Sequence, residues 1–373
     1  MQDLTSTLIG KTLGSYRVTR LLGEGGMGLV LLGEHTSLKR KAAIKVLRPE
    51  LAQRDEVVQR FFNEALAANQ IKHPGIVDIY DYAQSDAGAY LVMEFLDGEP
   101  LSDLLLREKR LSLESVVLLV RRIASPLTAA HAEEIIHRDL KPDNIFILPD
   151  PDHPGDVRVK LLDFGIAKLK ESGQPSMRTA TGMLLGTPFY MSPEQCHGAK
   201  LVDHRSDIYA LAVIAYELLS GRLPFTAEGL GELVLKHQTE APPPLGVAEL
   251  GIPEAVEAQL QRALAKDPVA RFNSATEFAD ALMLASGVQH PGMTLPPLAP
   301  VHREAELAGA ETAVRLPHTV MSEPGLAIAP GITPQPTPQP ALAGQPTPQP
   351  ALASQPTPQP ALAGQPTPQP ALA

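Results

Sequence analysis

The stretch His137-Arg138-Asp139-Leu140-Lys141-Pro142-Asp143-Asn144 decides how the chain is interpreted, together with Asp163-Phe164-Gly165 further along. Transfer of a phosphoryl group requires a carboxylate for the acceptor proton, a cation for the moving phosphate and oxygen ligands for magnesium. The two segments contain these types of side chain in Asp139, Lys141, Asn144 and Asp163. A three-residue motif recurs by chance. An eight-residue run followed by a second motif at this distance is far more specific.

The two segments resemble the catalytic and metal-binding motifs of the protein kinases, and in particular of the eukaryotic-like (Hanks-type) serine/threonine kinases of bacteria. The likeness covers roughly Tyr16 to Ala285. It implies a bilobal α+β fold, with a small antiparallel-sheet N-lobe that carries one main helix and a larger helical C-lobe. The expected domains are a flexible N-terminus (1–15), a protein kinase domain (16–285) and a disordered proline-rich tail (286–373).

The resemblance also implies an ATP-dependent enzyme that transfers the γ-phosphate to serine or threonine hydroxyls of proteins. Asp139 would orient and deprotonate the acceptor hydroxyl, and Lys141 would neutralise the moving phosphate. Asn144 and Asp163 would hold Mg²⁺. Lys141, taken with the Gly186-Thr187 pair, favours a serine or threonine acceptor over tyrosine.

A glycine-rich motif, Gly23-x-Gly25-x-x-Gly28, lies between two apolar segments. In a dinucleotide-binding fold a helix follows the last glycine, whereas here apolar strand residues continue, which favours a β-hairpin. Glycines there let backbone N–H groups approach phosphates without obstruction by side chains. With the family resemblance, this predicts a lid over ATP, formed by Leu22, Gly23, Glu24, Gly25, Gly26, Met27, Gly28, Leu29 and Val30.

Lys45 interrupts the apolar strand Ala42–Val46. The simplest interpretation is a surface lysine at a sheet edge. The match to the V-A-I-K pattern of the kinases, with Ala42 in place of valine, implies instead a contact with the α- and β-phosphates. Helical spacing over residues 55–73 places Glu64 on a helix, and the family pattern favours its pairing with Lys45 over ordinary solvation.

The segment Glu94-Phe95-Leu96-Asp97-Gly98 resembles the hinge between the two kinase lobes. The resemblance implies that the backbone of Glu94 and Leu96 bonds the adenine edge. Val30 and Ala43 would cover the base from above and Phe146 from below. Each apolar residue could equally belong to the core.

Residues 164–194 have the composition of a regulated loop. Arg138 precedes the proposed base and has no evident partner in the sequence, and a phosphate on a nearby threonine would provide one. Thr179 and Thr181 match the positions at which such kinases modify themselves, although ordinary loop threonines are an equal alternative. Self-modification would involve a transient homodimer.

Three further expectations concern the large lobe. Pro126 lies inside a helical pattern over residues 113–134 and predicts a kink or an early break, because proline costs about 3 kcal/mol in a helix interior. The resemblance implies that Asp207 accepts backbone N–H bonds from the catalytic loop. It also implies a structural ion pair between Glu194 and Arg271.

Composition limits the alternatives. The net charge of −10 argues against a broad nucleic-acid or anionic-membrane surface. A single cysteine fits a reducing compartment. The N-terminus has no secretory pattern, and no apolar run after Ala285 is long enough for a membrane helix. A cytoplasmic location is therefore expected.

From Gln335 a ten-residue unit, Gln-Pro-Thr-Pro-Gln-Pro-Ala-Leu-Ala-Gly/Ser, repeats four times, the last copy being one residue short. Its prolines do not share one face of a polyproline helix, so a spacer is favoured over a docking motif. Two alternatives to a protein kinase stay open: a pseudokinase scaffold, and a kinase of small molecules on the same fold.

Overall fold

The computed structural model describes residues 4–85, 88–153, 156–164, 188–198, 202–288 and Leu298. Gly165, Gly186, Thr187 and the two candidate phosphorylation sites Thr179 and Thr181 lie outside these residues. The repeats after Gln335 also lie outside them, so the disorder of the tail and its boundary at 286 stay predictions.

Short segments rich in apolar residues form an antiparallel sheet in the N-terminal lobe. Among the described residues it has six strands in the order β1-β2-β3-β4-β6-β5. Their bounds are Thr12–Leu13 (β1), Tyr16–Glu24 (β2), Gly28–His35 (β3), Lys41–Leu47 (β4), Ile79–Ser85 (β5) and Gly88–Glu94 (β6).

The helices of this lobe are Leu4–Leu8 (α1), Pro49–Ala52 (α2) and Asp55–Gln70 (α3). Helix α3 begins with two acidic residues, which its dipole favours at this end. Its apolar face, including Phe61 and Ala65, packs with Leu47 and Leu91 of the sheet. The helix ends before the expected residue 73, because Ile71 already has an extended backbone.

Residues 4–15 were expected to be a loose lead-in, and the structure differs. Helix α1 buries Leu8 to 1% exposure, and β1 buries Leu13 to 4%. Both side chains join the core on one face of the sheet, with Val18 and Tyr90. The polar composition of this segment hides two apolar side chains at the positions that the fold buries.

The C-terminal lobe is mainly helical and is built around one nearly all-apolar helix. Its helices are Leu101–Glu108 (α4), Leu113–Ala132 (α5), Pro193–His197 (α6), Arg205–Ser220 (α7), Leu230–Thr239 (α8), Val247–Leu250 (α9), Glu254–Ala263 (α10) and Ala275–Ser286 (α11). Helix α7 has buried residues on almost every side, as expected for a helix at the centre of a lobe. A three-stranded sheet lies beside these helices, formed by Glu99–Pro100 (β7), Ile145–Pro149 (β8) and Val157–Leu161 (β9).

The expected early break at Pro126 does not occur, because α5 continues to Ala132 with the proline inside it, and the alternative expectation of a kink stays a prediction. Pro126 is itself buried and lies against Gly75. A Cβ added at Gly75 would lie 3.0 Å from Cγ of the Pro126 ring. Burial of α5 on both sides of the proline offsets the cost of the lost hydrogen bond.

The predicted α+β arrangement of an antiparallel-sheet lobe and a helical lobe is confirmed. No helix in the described part of the chain combines the length and apolarity needed to cross a lipid bilayer.

Candidate active site

The glycine-rich motif forms the turn of a β-hairpin. Gly23 and Glu24 of β2 are opposite Val30 and Leu29 of β3. The Gly25 N–H donates to the Gly28 carbonyl at 2.9 Å. A strand, not a helix, follows the last glycine, so the hairpin prediction is confirmed and the dinucleotide-fold alternative is excluded.

The glycines of this turn have different physical roles. A Cβ added at Gly23, Gly25 or Gly26 would meet no atom within 4 Å. A Cβ at Gly28 would lie 1.9 Å from the carbonyl oxygen of Val46 in the neighbouring strand. Gly23, Gly25 and Gly26 therefore leave open space at the turn. Gly28 is required for the close pairing of β3 with β4.

Arg48, which follows β4, bonds the glycine-rich turn. Its guanidinium forms an ion pair with Glu24 at 2.6 Å and donates to the Gly25 carbonyl at 3.2 Å. Its backbone N–H donates to the Met27 carbonyl at 3.0 Å. Sequence reasoning missed this residue, because a single arginine after a strand carries no recognisable pattern.

Strand register decides which side chains face the cleft. Val30 is directly opposite Lys45, and Ala43 is directly opposite Met93, so all four lie on one face of the sheet. Leu29 points to the other face, where it is buried in the sheet core. Of the expected nucleotide contacts, Leu29 can therefore supply only its backbone.

The lower and rear walls of the cleft come from the C-lobe sheet and the hinge. Phe146 is half-buried on β8, opposite Pro100 and Lys160. Leu96 is 9% exposed just after β6. Leu22 is half-buried on β2 near the lid. These residues stay candidates for the adenine contacts.

The hinge residue Glu94 is bonded to both lobes. Its N–H donates to the Asp78 carbonyl at 2.9 Å, so it can offer an adenine at most an acceptor. Its carboxylate accepts from the Asp78 N–H at 2.8 Å and from Lys160 of β9. Lys160 also donates to the Ile76 carbonyl at 2.9 Å. One lysine thus joins the hinge to the strand that leads to Asp163.

Lys45 and Asp163 meet in the centre of the cleft. The Lys45 Nζ lies 2.7 Å from the Asp163 Oδ1. Burial opposes the charged amine, but attraction by Asp163, and next by Glu64, raises the pKa of Lys45 above its ordinary value. Burial likewise disfavours the Asp163 carboxylate, but Lys45 holds the pKa of Asp163 below its ordinary value. Both groups are therefore charged at neutral pH.

The catalytic loop groups three of the predicted residues. The Lys141 Nζ lies 3.7 Å from the Asp139 Oδ2. The Asn144 side-chain amide donates to the Asp139 backbone carbonyl at 2.8 Å. The Asn144 backbone carbonyl in turn accepts from the Leu162 N–H at 2.9 Å, directly before Asp163. The structure therefore brings Asp139, Lys141, Asn144 and Asp163 into one connected site.

The donor set fits magnesium. The amide nitrogen of Asn144 faces Asp139, which leaves its amide oxygen as the available ligand atom. Asp163 offers carboxylate oxygens with a depressed pKa. Hard oxygen ligands of this kind, few in number and beside a phosphate site, suit Mg²⁺, which keeps several waters and binds substrate phosphates.

His137 lies under the loop and is fully buried. Its Nε2–H donates to the Leu162 carbonyl at 2.9 Å, and its ring lies 4.7 Å from that of Phe164. Burial lowers the pKa of His137, despite the nearby carboxylates that oppose this. A neutral imidazole therefore connects the catalytic loop to the Asp163-Phe164 segment.

Asp207 braces the loop, as predicted. Its Oδ2 accepts the His137 N–H and its Oδ1 the Arg138 N–H, each at 2.8 Å. His131 of α5 adds a third bond, Nε2 to Oδ2 at 2.7 Å. Burial disfavours the Asp207 carboxylate, but its contacts, first the one with His131, outweigh burial and lower the pKa of Asp207. A lone histidine in a helix gave no signal in the sequence.

The Arg138 side chain has an unsatisfied donor. Its Nε is buried and has no hydrogen-bond partner in the described part of the chain. Burial lowers the pKa of Arg138, although Asp207 opposes the shift. A half-buried arginine whose Nε has no acceptor among the described residues is suited to meet an anion that arrives from elsewhere.

The predicted ion pair between Glu194 and Arg271 is also confirmed. The two terminal guanidinium nitrogens of Arg271, Nη1 and Nη2, donate to the Glu194 carboxylate at 2.7 and 2.8 Å. Ser206 donates a third bond to Glu194 at 2.6 Å. The pair fixes helix α6 to the C-lobe.

Comparison with known proteins agrees with this geometry. The model of the protein kinase domain family matches residues 16–280. The chain belongs to the protein kinase family. Its relatives are serine/threonine-protein kinases of bacteria, which confirms the predicted likeness.

The serine/threonine-protein kinase Pkn1 of Myxococcus xanthus is 47% identical over 279 residues, which cover 74% of this chain and 39% of Pkn1. PknA of Mycobacterium tuberculosis is 38% identical over 292 residues, covering 77% of this chain and 65% of PknA. The chain therefore spans less than two thirds of the length of each. Among solved structures, the M. tuberculosis PknI kinase domain is 32% identical, with a TM-score of 0.59 over 75% of this chain and 98% of that one.

Proposed function

We propose that this chain is an ATP- and Mg²⁺-dependent protein kinase that phosphorylates serine and threonine side chains. The observation that carries the proposal is the connected set Asp139, Lys141, Asn144 and Asp163, with Lys45 paired to Asp163 under an open glycine lid. The names of the relatives support the same acceptor class.

Each residue has one task in this proposal. Asp139 orients the acceptor hydroxyl and takes its proton, and Lys141, 3.7 Å from it, neutralises charge on the moving phosphate. Lys45 holds the nucleotide phosphates with support from Glu64. Bound Mg²⁺ supplies charge neutralisation of the phosphates, and Asn144 and Asp163 are its ligands.

The chain also has the parts for regulation by self-modification. Within the described part of the chain the Arg138 Nε, beside the base, has no acceptor, and a phosphothreonine at 179 or 181 supplies one. Modification in trans uses a transient homodimer. The proline-rich tail acts as a spacer. Protein substrates, a cytoplasmic location and no nucleic-acid partner complete the proposal, in line with the net charge of −10.

The test is incorporation of radiolabelled phosphate from ATP into casein and into the protein itself, with and without Mg²⁺. We expect Asp139→Asn to lose about 10²–10⁴-fold of the rate, because the base and its charge are removed. Asp152→Asn, in an exposed turn, is the matched control and keeps full activity. An Asp139→Asn protein with undiminished turnover would refute the assignment.

The same assay separates the pseudokinase alternative. A scaffold binds partners without Mg²⁺-dependent phosphate transfer, whereas the proposed enzyme labels at least one protein. Replacing casein by small alcohols and sugars tests the second alternative, because only a small-molecule kinase labels these and not protein.

A further inference from the structure

We propose that Gln195 is a positioning residue for catalysis, which holds the backbone immediately before Asp139 in a strained conformation. The proposal rests on the proposed kinase function. It concerns a residue outside the catalytic groups, the third residue of helix α6.

The peptide before Asp139 is strained. Arg138 has a φ of +61°, which a residue with a Cβ rarely adopts. The Asp139 N–H donates to the His137 carbonyl at 2.8 Å, so Arg138 is the centre of a three-residue γ-turn. The γ-turn with positive φ is the rare and strained form. It persists only where neighbouring groups hold it.

Three polar groups of the turn are held from outside. Asp207 accepts the N–H groups of His137 and Arg138. Gln195 donates its side-chain Nε2–H to the Arg138 carbonyl at 2.8 Å. That carbonyl belongs to the same peptide unit as the Asp139 N–H, so Gln195 sets the plane from which Asp139 projects.

The amide of Gln195 is satisfied at both ends. Its Oε1 accepts the Ser192 N–H at 2.9 Å, and Ser192 caps α6 in a capping box. The opposite amide orientation would place oxygen against the Arg138 carbonyl and the NH₂ against the Ser192 N–H. Only one orientation bonds both neighbours, which makes the side chain a fixed bridge between α6 and the turn.

This bridge joins two functional segments. Glu194, the preceding residue, is fixed to the lobe by Arg271. Gln195 transmits that fixed position to the catalytic loop. The orientation of Asp139 therefore depends on the capping and anchoring of α6.

Gln195→Glu is the sharp test, because glutamate keeps the capping box but replaces the donor by an acceptor facing the Arg138 carbonyl. We expect kcat to fall about 10- to 100-fold, with KM for ATP and for casein within about twofold of the wild type. Protonation of the introduced carboxyl restores a donor. The activity of the variant relative to wild type should therefore rise as pH falls from 7.5 to 5.5, a rise that Gln195→Ala lacks.

The matched control is Gln261→Glu. Gln261 also donates its amide to a backbone carbonyl, that of Pro242 at 3.3 Å, but on α10 away from the site. We expect it to change Tm as much as Gln195→Glu does, with no change in kcat or in its pH profile.

Hydrogen exchange gives a readout that does not need turnover. Amides of residues 137–141 should exchange at least about tenfold faster in Gln195→Glu than in Gln261→Glu, because the strained turn opens more often. Equal exchange in the two variants, or a kcat within twofold of wild type, overturns the inference. An inactive wild-type protein would refute the proposed function, and the exchange comparison would then still show whether Gln195 holds the strained turn.

Discussion

Glu194 and Arg271 are 77 residues apart in the chain and form a two-bonded ion pair, with the arginine side chain 0% exposed. Arg271 also donates to the backbone carbonyls of Ala265 and Arg205, at 2.8 and 3.0 Å. The N–H donors of this buried arginine are thus satisfied almost entirely by protein acceptors. The pair therefore contributes to folding directly, and to chemistry only through the anchoring of α6.

Arg271→Leu should lower the free energy of unfolding by about 3–5 kcal/mol, because it leaves the Glu194 carboxylate buried without its partner. The measurement is urea denaturation. Burial disfavours the Glu194 carboxylate, but Arg271 outweighs burial and lowers the pKa of Glu194. The contribution of this carboxylate to folding stability is therefore lost as pH falls below its ordinary pKa of 4.5. The destabilisation by Arg271→Leu should therefore shrink toward pH 4. Arg262→Leu, in a more exposed pair with Glu277, is the control and should cost less than about 1 kcal/mol.

Lys45→Met should lower kcat/KM for ATP by about 10²-fold or more, because the cation that contacts the phosphates and Asp163 is removed. Calorimetric titration with Mg-ADP should show weaker binding. Lys39→Met is the control, because Lys39 forms an exposed pair with Glu34 on the far end of the sheet. Unchanged nucleotide affinity in Lys45→Met would contradict the assignment.

Gly28→Ala and Gly25→Ala should separate packing from catalysis. Gly28→Ala forces a Cβ to within 1.9 Å of the Val46 carbonyl, so β3 and β4 must shift and Tm should fall by several degrees. Gly25→Ala meets open space, so Tm should hold while KM for ATP rises. Calorimetric melting and steady-state kinetics measure the two effects. Equal losses of Tm would contradict the distinction.

Glu217→Gln should change how stability depends on pH. Burial raises the pKa of Glu217 to about 7, although Tyr190 donates a hydrogen bond to its carboxylate at 2.7 Å. The folded pKa lies above the ordinary 4.5, so the folded protein binds this proton more tightly and loses stability as pH rises through this window.

Removing the titrating group removes that loss. The free energy of unfolding of Glu217→Gln, relative to wild type, should increase by about 1–3 kcal/mol between pH 4.5 and 8. Denaturation series at four pH values measure it. Parallel stability profiles for the two proteins would show that Glu217 does not titrate in this range.

Much of the site was predictable because its residues occur in short local runs. The segment from His137 to Asn144, the glycine turn and the lysine strand each carry their chemistry within eight residues or fewer. The fold class followed from the same runs. The pairing of Lys45 with Asp163 was not predicted, because it depends on how two segments far apart in sequence meet.

The remainder depended on tertiary structure. Burial of α5 overrides the cost of Pro126, which local propensity cannot show. Leu8 and Leu13 are buried whereas Ile9, next to Leu8, is 46% exposed, so composition alone does not show which apolar residues of this segment the fold buries. His131 contacts Asp207 and Arg48 contacts the glycine turn, and neither residue carries a sequence pattern. Gln195 had a signal, since Ser192-x-x-Gln195 is a capping box, but its bond to Arg138 is visible only in three dimensions.

Lys160 lies where the two lobes join, bonded to Ile76 and to the hinge carboxylate of Glu94. Rotation about the hinge displaces atoms in proportion to their distance from the axis, so contacts at the axis change least. In the proposed kinase, a rotation that widened the cleft would leave the Lys160 contact in place. The two lobes would then begin each closure from the same contact.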